Sequence, residues 1–189
     1  MSLQQHKSGG RPEGLVLPPG IRQDYLRSMR QTGKRIVLKT IGASMAPLIR
    51  PGACVEVEFV SISDVQPGDM ILFEKNQGLV LHRVIRRRRD ASGIVFTEKG
   101  DSQVFGTKVR EEFVLGRVTH VQNGERIFDP TSCQGRMLGR LISIVSLMEL
   151  GLFRIKRNTI GKGTSLLGHI WVVTGLQFRR FLMCFVCKR

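Results

Sequence analysis

Two regimes of hydrophobic patterning divide the chain. From Arg35 onward short β-type runs recur: RIVLKTI, CVEVEFV, DMILFE, GLVLHRVIR, GIVFTEK and FVLGRVTHV, separated by the turn clusters RPGA, QPGD, KNQG and DASG. Alternation of apolar and polar positions sends successive side chains to opposite faces of a strand. CVEVEFV thus sets Val55, Val57 and Phe59 against Glu56 and Glu58, and the two glutamates are expected as solvated strand residues rather than a paired-carboxylate site. The pattern predicts a compact, mostly β domain over residues 35–130.

The flanks read differently. Residues 1–34 form a polar, Gly- and Pro-containing lead in which Ile21, Tyr25, Leu26 and Met29 fall at helical spacing before Gly33, predicting a short amphipathic helix. The lead shows no apolar run of the kind a signal or anchor requires. Residues 131–189 carry LISIVSLMELGLF followed by RIKRN, then SLLGHIWVVTGLQF followed by RRFLMCFVCKR. Neither run reaches the roughly 20 apolar residues of a spanning helix, and an arginine at a bilayer centre costs roughly 2.5–3.5 kcal/mol on insertion scales. Two helices in a membrane interface are expected, with Arg154, Lys156, Arg157, Arg179 and Arg180 meeting headgroups; the alternative is a helical hairpin closing over the β-domain core.

Charge sharpens that picture. The 189 residues hold 30 Lys and Arg against 15 Asp and Glu, a net charge of +15. From residue 131 there are ten basic residues and one acid, Glu149. Basic residues interleaved with apolar runs favour contact with an anionic membrane surface over nucleic acid, which calls for a polar basic face or a stacking platform. The four cysteines, at 54, 133, 184 and 187, supply neither a disulfide framework nor a second CxxC for a zinc site. Cys184 and Cys187 read as apolar residues one turn apart, and no metal or cofactor is expected.

Chemistry concentrates in TIGASMAPLIRPGACVEV, where a predicted strand ends at Gly42 and Ala43 and presents Ser44 before a turn at Pro51 and Gly52. Small neighbours let a substrate backbone approach a nucleophilic serine, and backbone N–H groups at a sharp exit from a strand receive an oxyanion. In GLVLHRVI, His82 shares a strand face with Val80 and Val84. A neutral imidazole there suits a general base, and it equally suits a core histidine bonded to a carbonyl. In FTEKGDSQ, Asp101 follows Gly100, placed either to cap its own turn or to accept the second ring N–H of His82.

The succession GASMAPLIRPGA, VQPGDMILF, LVLHRVI, FTEKGD and VLGRV, spanning Lys39 to Val121, resembles the ordered boxes of the signal peptidase I family. The resemblance implies a coiled, mostly β catalytic domain and a serine endopeptidase that cleaves leader or signal peptides after small side chains. His82 before Arg83 and Val84 resembles the archaeal and endoplasmic-reticulum type, where common bacterial members carry a lysine base. Carried over, Ser44 is nucleophile, His82 general base and then general acid, and Asp101 the candidate acidic partner, with Met45 and Pro47 shaping the nucleophile's loop.

Three departures from the family pattern stand out. The further aspartate usual after KGD is replaced by the stretch VFGTKVREE; the hydroxyl residue usual two before the nucleophile is Gly42; and the amino-terminal anchor is not seen. The first leaves open a Ser44–His82 dyad with Asp101 purely structural. Two competing readings are an autoproteolytic repressor-like domain, whose relatives use lysine and a DNA-binding module longer than residues 1–34, and a noncatalytic module gripping an anion or membrane with Arg86–Arg89. The plainer account of RRRRDASG is a solvated strand end and turn.

Overall fold

The computed structural model describes residues 35–76 and 78–159, with side chains up to residue 151 in the final helix. The expected helix at 21–33, the second apolar run of the tail, and Cys184 and Cys187 lie outside the described residues. Eight strands build one antiparallel sheet: β1 (Ile36–Lys39), β2 (Cys54–Glu58), β3 (Met70–Lys75), β4 (Gly78–Asp90), β5 (Gly93–Lys99), β6 (Thr107–Arg110), β7 (Val114–Asn123) and β8 (Arg126–Phe128). Their order is β1-β2-β7-β3-β4-β5-β6, with β8 paired to β7. A single α-helix among the described residues, α1 (Cys133–Thr159), follows the sheet.

The mostly β architecture follows from the period-two runs, and its curl from irregularities within them. The register slips between Glu56 and Val57, between Leu72 and Phe73, and between Val84 and Arg86. An extra residue on one strand sharpens local twist and bends a flat ribbon. The long β4 is thereby split: Gly78–Arg83 pairs with β3 and Arg83–Asp90 with β5.

Two apolar clusters result. One gathers Val55, Val57, Met70, Leu72, Val118 and Val121 with Met45, Leu48 and Ile49 of the Ser44 loop and Leu138 and Ile142 of α1. The other joins Val65, Ile71, Phe73, Val84, Ile94, Phe96, Val109 and Val114. Each fully buried Phe contributes about 1.5–3 kcal/mol relative to exposure, so Phe73 and Phe96 anchor the second cluster.

Helix α1 begins where Ser132 caps it. The Ser132 hydroxyl accepts the Gly135 N–H at 3.1 Å, and Asp129 accepts the N–H groups of Thr131 and Ser132. The first apolar run of the tail therefore packs on the β-domain through Leu138 and Ile142. The approach is close enough to require glycines. A Cβ on Gly139 would stand 2.6 Å from the Gly68 carbonyl oxygen, and Gly68 itself has φ +106°. The Ser143 hydroxyl donates to the Val84 carbonyl at 2.9 Å, and buried Lys99 donates to Glu149 at 2.7 Å.

Candidate active site

Ser44 sits in a turn whose flanks are fixed from three sides. Met45, Leu48 and Ile49 are buried behind it. Asn123, at the end of β7, clamps the loop's far side: its amide donates to the Leu48 carbonyl at 2.7 Å and its oxygen accepts the Arg50 N–H at 3.1 Å. The turn after β5 holds the near side, because the Ser102 N–H and hydroxyl both donate to the Ser44 carbonyl, each at 2.9 Å. A Cβ on Gly100 would come within 2.6 Å of that same carbonyl oxygen, so this position has to be glycine for the two turns to meet.

His82 lies in the middle of β4, buried, with its ring edge toward Phe73 at a centroid distance of 6.0 Å. Its Nε2 is 3.1 Å from the Ser44 Oγ, and its Nδ1 is 2.5 Å from an oxygen of Glu98. An ionised carboxylate only accepts, so Nδ1 carries the ring proton and the Nε2 lone pair faces the serine hydroxyl. Ser44, His82 and Glu98 therefore form one hydrogen-bonded line of hydroxyl, imidazole and carboxylate, an arrangement that can activate the hydroxyl.

Glu98 is fully buried, yet its carboxyl is held below the ordinary range. Burial by itself would raise it; hydrogen bonds from His82 and Thr107 and the nearby charge of Lys75 outweigh that cost. Thr107 comes from edge strand β6, directly opposite Glu98 in the register. Its hydroxyl donates to the second oxygen of Glu98 and accepts from the Lys75 ammonium at 2.9 Å. Lys75, Thr107, Glu98, His82 and Ser44 thus form a polar network crossing β3, β4, β5 and β6 to the Ser44 loop.

Asp101 does not join that line. Arg83 Nε donates to one of its oxygens at 2.8 Å and Arg83 Nη2 to the other at 2.7 Å, in a buried bidentate pair. Arg83 Nη1 also donates to the Gly68 carbonyl at 2.8 Å. Alternation along β4 explains the separation: His82 and Arg83 are adjacent, so their side chains leave opposite faces, and each takes its own carboxylate. The expected carboxylate partner of His82 is therefore corrected from Asp101 to Glu98, while Asp101 secures the turn whose next residue, Ser102, holds Ser44.

The sequence carries a partial signal for Glu98. In GIVFTEK it falls on the same face as Ile94 and Phe96, and a carboxylate on the buried face of a strand needs a partner. Glu56 and Glu58 keep substantial exposure and pair with Arg35, as alternation predicts for solvated strand residues. No cluster of His, Cys, Asp and Glu suited to a metal occurs among the described residues. Comparison with protein-family models finds no match to this chain, and comparison with curated protein sequences finds none either.

Proposed function

We propose that the chain is a serine endopeptidase of the signal peptidase type, with Ser44 as nucleophile, His82 as general base and Glu98 as the carboxylate that orients it. The observation that carries the reading is the placement of His82 between the two, Nε2 toward Ser44 and Nδ1 toward Glu98. The ordered boxes around these residues support leader or signal peptides as the substrate class.

In the acylation step the Ser44 oxygen bonds to the scissile carbonyl carbon while its proton passes to His82 Nε2. The resulting imidazolium is stabilised by the negative charge of Glu98. Collapse of the tetrahedral intermediate breaks the C–N bond, and His82 returns the proton to the leaving amine. Water then attacks the acyl-serine with His82 again taking a proton, releasing the new carboxyl terminus and restoring the hydroxyl. With Gly42 two residues before the nucleophile, no side-chain hydroxyl is supplied from that position, so backbone N–H groups of the Ser44 turn carry the oxyanion.

The test is cleavage of a leader peptide by the purified chain, with Ser44→Ala and His82→Ala measured alongside. Both substitutions should abolish turnover to the level set by binding alone. Cleavage that survives either change at the parental rate excludes the mechanism.

A further inference from the structure

Helix α1 is built inside out. Toward the sheet it presents Leu138, Gly139, Ile142, Ser143, Ser146 and Glu149, all buried and half of them polar. Away from the sheet it presents Met137, Leu141, Ile144, Leu147 and Met148, which are between 42% and 63% exposed. Their spacing of three and four residues forms one continuous stripe along the helix. A contiguous exposed patch of large apolar side chains is uncommon on a solvated protein and marks a surface made for contact.

The sheet supplies charge on the same side. Arg83 lies directly opposite Lys99. Both approach α1, since Lys99 binds Glu149 and a Cβ on Gly139 would meet the Arg83 guanidinium at 3.3 Å. Residues two and four positions before Lys99, Thr97 and Val95, share its face. The register aligns Arg86, Thr97 and Lys108 in one row across β4, β5 and β6, and Arg88, Val95 and Arg110 in the next. All four cations are exposed, on the face where α1 packs and opposite to that of Glu98 and Phe96. Two acids border the rows and offset them only in part: Asp90, held by Ser92, feels the charges of Arg110 and Lys108, and Glu111 accepts the Ile94 N–H. Arg136 and Arg140 add two exposed cations on α1, where they line an open groove with Met137 and Leu141.

The geometry points to an anionic lipid surface as the occupant of this face: the outer stripe of α1 enters the acyl boundary while Arg86, Arg88, Lys108, Arg110, Arg136 and Arg140 meet acidic headgroups. Charge complementarity selects this partner. A second copy would bring two cationic faces together, and residues 160–189 contain five basic residues and no acid, so neither neutralises the rows. Nucleic acid offers phosphates but no apolar phase for five large aliphatic and thioether side chains. No described helix is long and apolar enough to cross a membrane, and the contact proposed is an interfacial one.

The inference does not depend on the peptidase reading and is tested without turnover, in full-length Ser44→Ala protein sedimented with vesicles. The protein should bind phosphatidylcholine vesicles containing phosphatidylserine, more weakly as salt is raised, and bind pure phosphatidylcholine at least tenfold less. Leu141→Gln with Ile144→Gln, and separately Arg86→Gln with Arg88→Gln, should each lower affinity about tenfold. These positions are exposed, so an unchanged circular dichroism spectrum and melting midpoint establish that the fold is intact. Binding unaltered in both pairs overturns the assignment. So does equal binding to neutral vesicles, or a concentration-dependent dimer abolished by Leu141→Gln with Ile144→Gln in protein that ignores vesicles.

Discussion

Two buried carboxylates stand close together in sequence, Glu98 and Asp101, and their different partners give them different tasks. Glu98 fixes the tautomer of His82, whereas Asp101 neutralises Arg83. Glu98→Gln keeps the shape but can offer an amide N–H to Nδ1, stabilising the wrong tautomer; kcat should fall by about two to four orders of magnitude with KM little changed. Asp101→Ala should behave differently. It leaves the Arg83 charge buried without its partner, a change that typically costs about 3–5 kcal/mol of stability. Urea unfolding together with steady-state kinetics on both variants separates the roles, because a purely structural Glu98 would show its loss in the unfolding midpoint and not in kcat.

The elements show where the sequence was readable. Each of the six apolar runs corresponds to a strand, because period-two alternation is enforced wherever one face is buried and the other wet. The run FVLGRVTHV starts as a tight turn at Glu111–Phe113 before becoming β7. β6 and β8 leave no pattern in the sequence, because four- and three-residue edge segments, TKVR and RIF, are too short to establish a period. Glu98 is obscured for a different reason. At the end of β5 both faces are covered, one by the second apolar cluster and the other by α1, so Glu98 and Lys99 are both buried and alternation no longer distinguishes inside from outside. Ser44 and His82 could be singled out from their segments, but their 3.1 Å approach depends on the β3–β4 pairing and on the Ser102 and Asn123 clamps, which join residues 58 and 75 positions apart.

The Lys99–Glu149 pair is the buried ionic tie between β5 and α1, and it yields an element-scale prediction. Lys99→Met removes the cation from this buried pair and should destabilise the chain, by at most about 3–5 kcal/mol. Combining it with Glu149→Leu should recover most of that loss, since an apolar pair of similar volume avoids desolvation altogether. A double-mutant cycle by urea unfolding measures the coupling. Strict additivity of the two changes would show that the pair does not tie helix to sheet.

At the scale of the whole molecule, the charge balance and the buried network act together in acid. The folded value of Glu98 lies below its ordinary 4.5, so the unfolded chain takes up that proton more readily than the folded one. The stability contributed by the ionised form is fully present above the unfolded value and is lost as pH falls through the lower folded value. Asp129, whose hydrogen bonds from Thr131 and Ser132 outweigh its desolvation, shifts in the same direction at the start of α1. Over this range the 15 acidic residues lose their charge while 30 Lys and Arg remain positive, so self-repulsion grows as well. The two contributions separate by salt. Repulsion among exposed cations is screened, whereas protonation at buried Glu98 is much less affected. Urea unfolding between pH 7 and pH 3 should therefore show stability falling with pH, and added salt should restore only part of the loss. In Glu98→Gln the fall should be shallower, by an amount that salt does not change. A parental slope in that variant would place the acid sensitivity in general repulsion, and remove Glu98 from the account of why the fold prefers neutral pH.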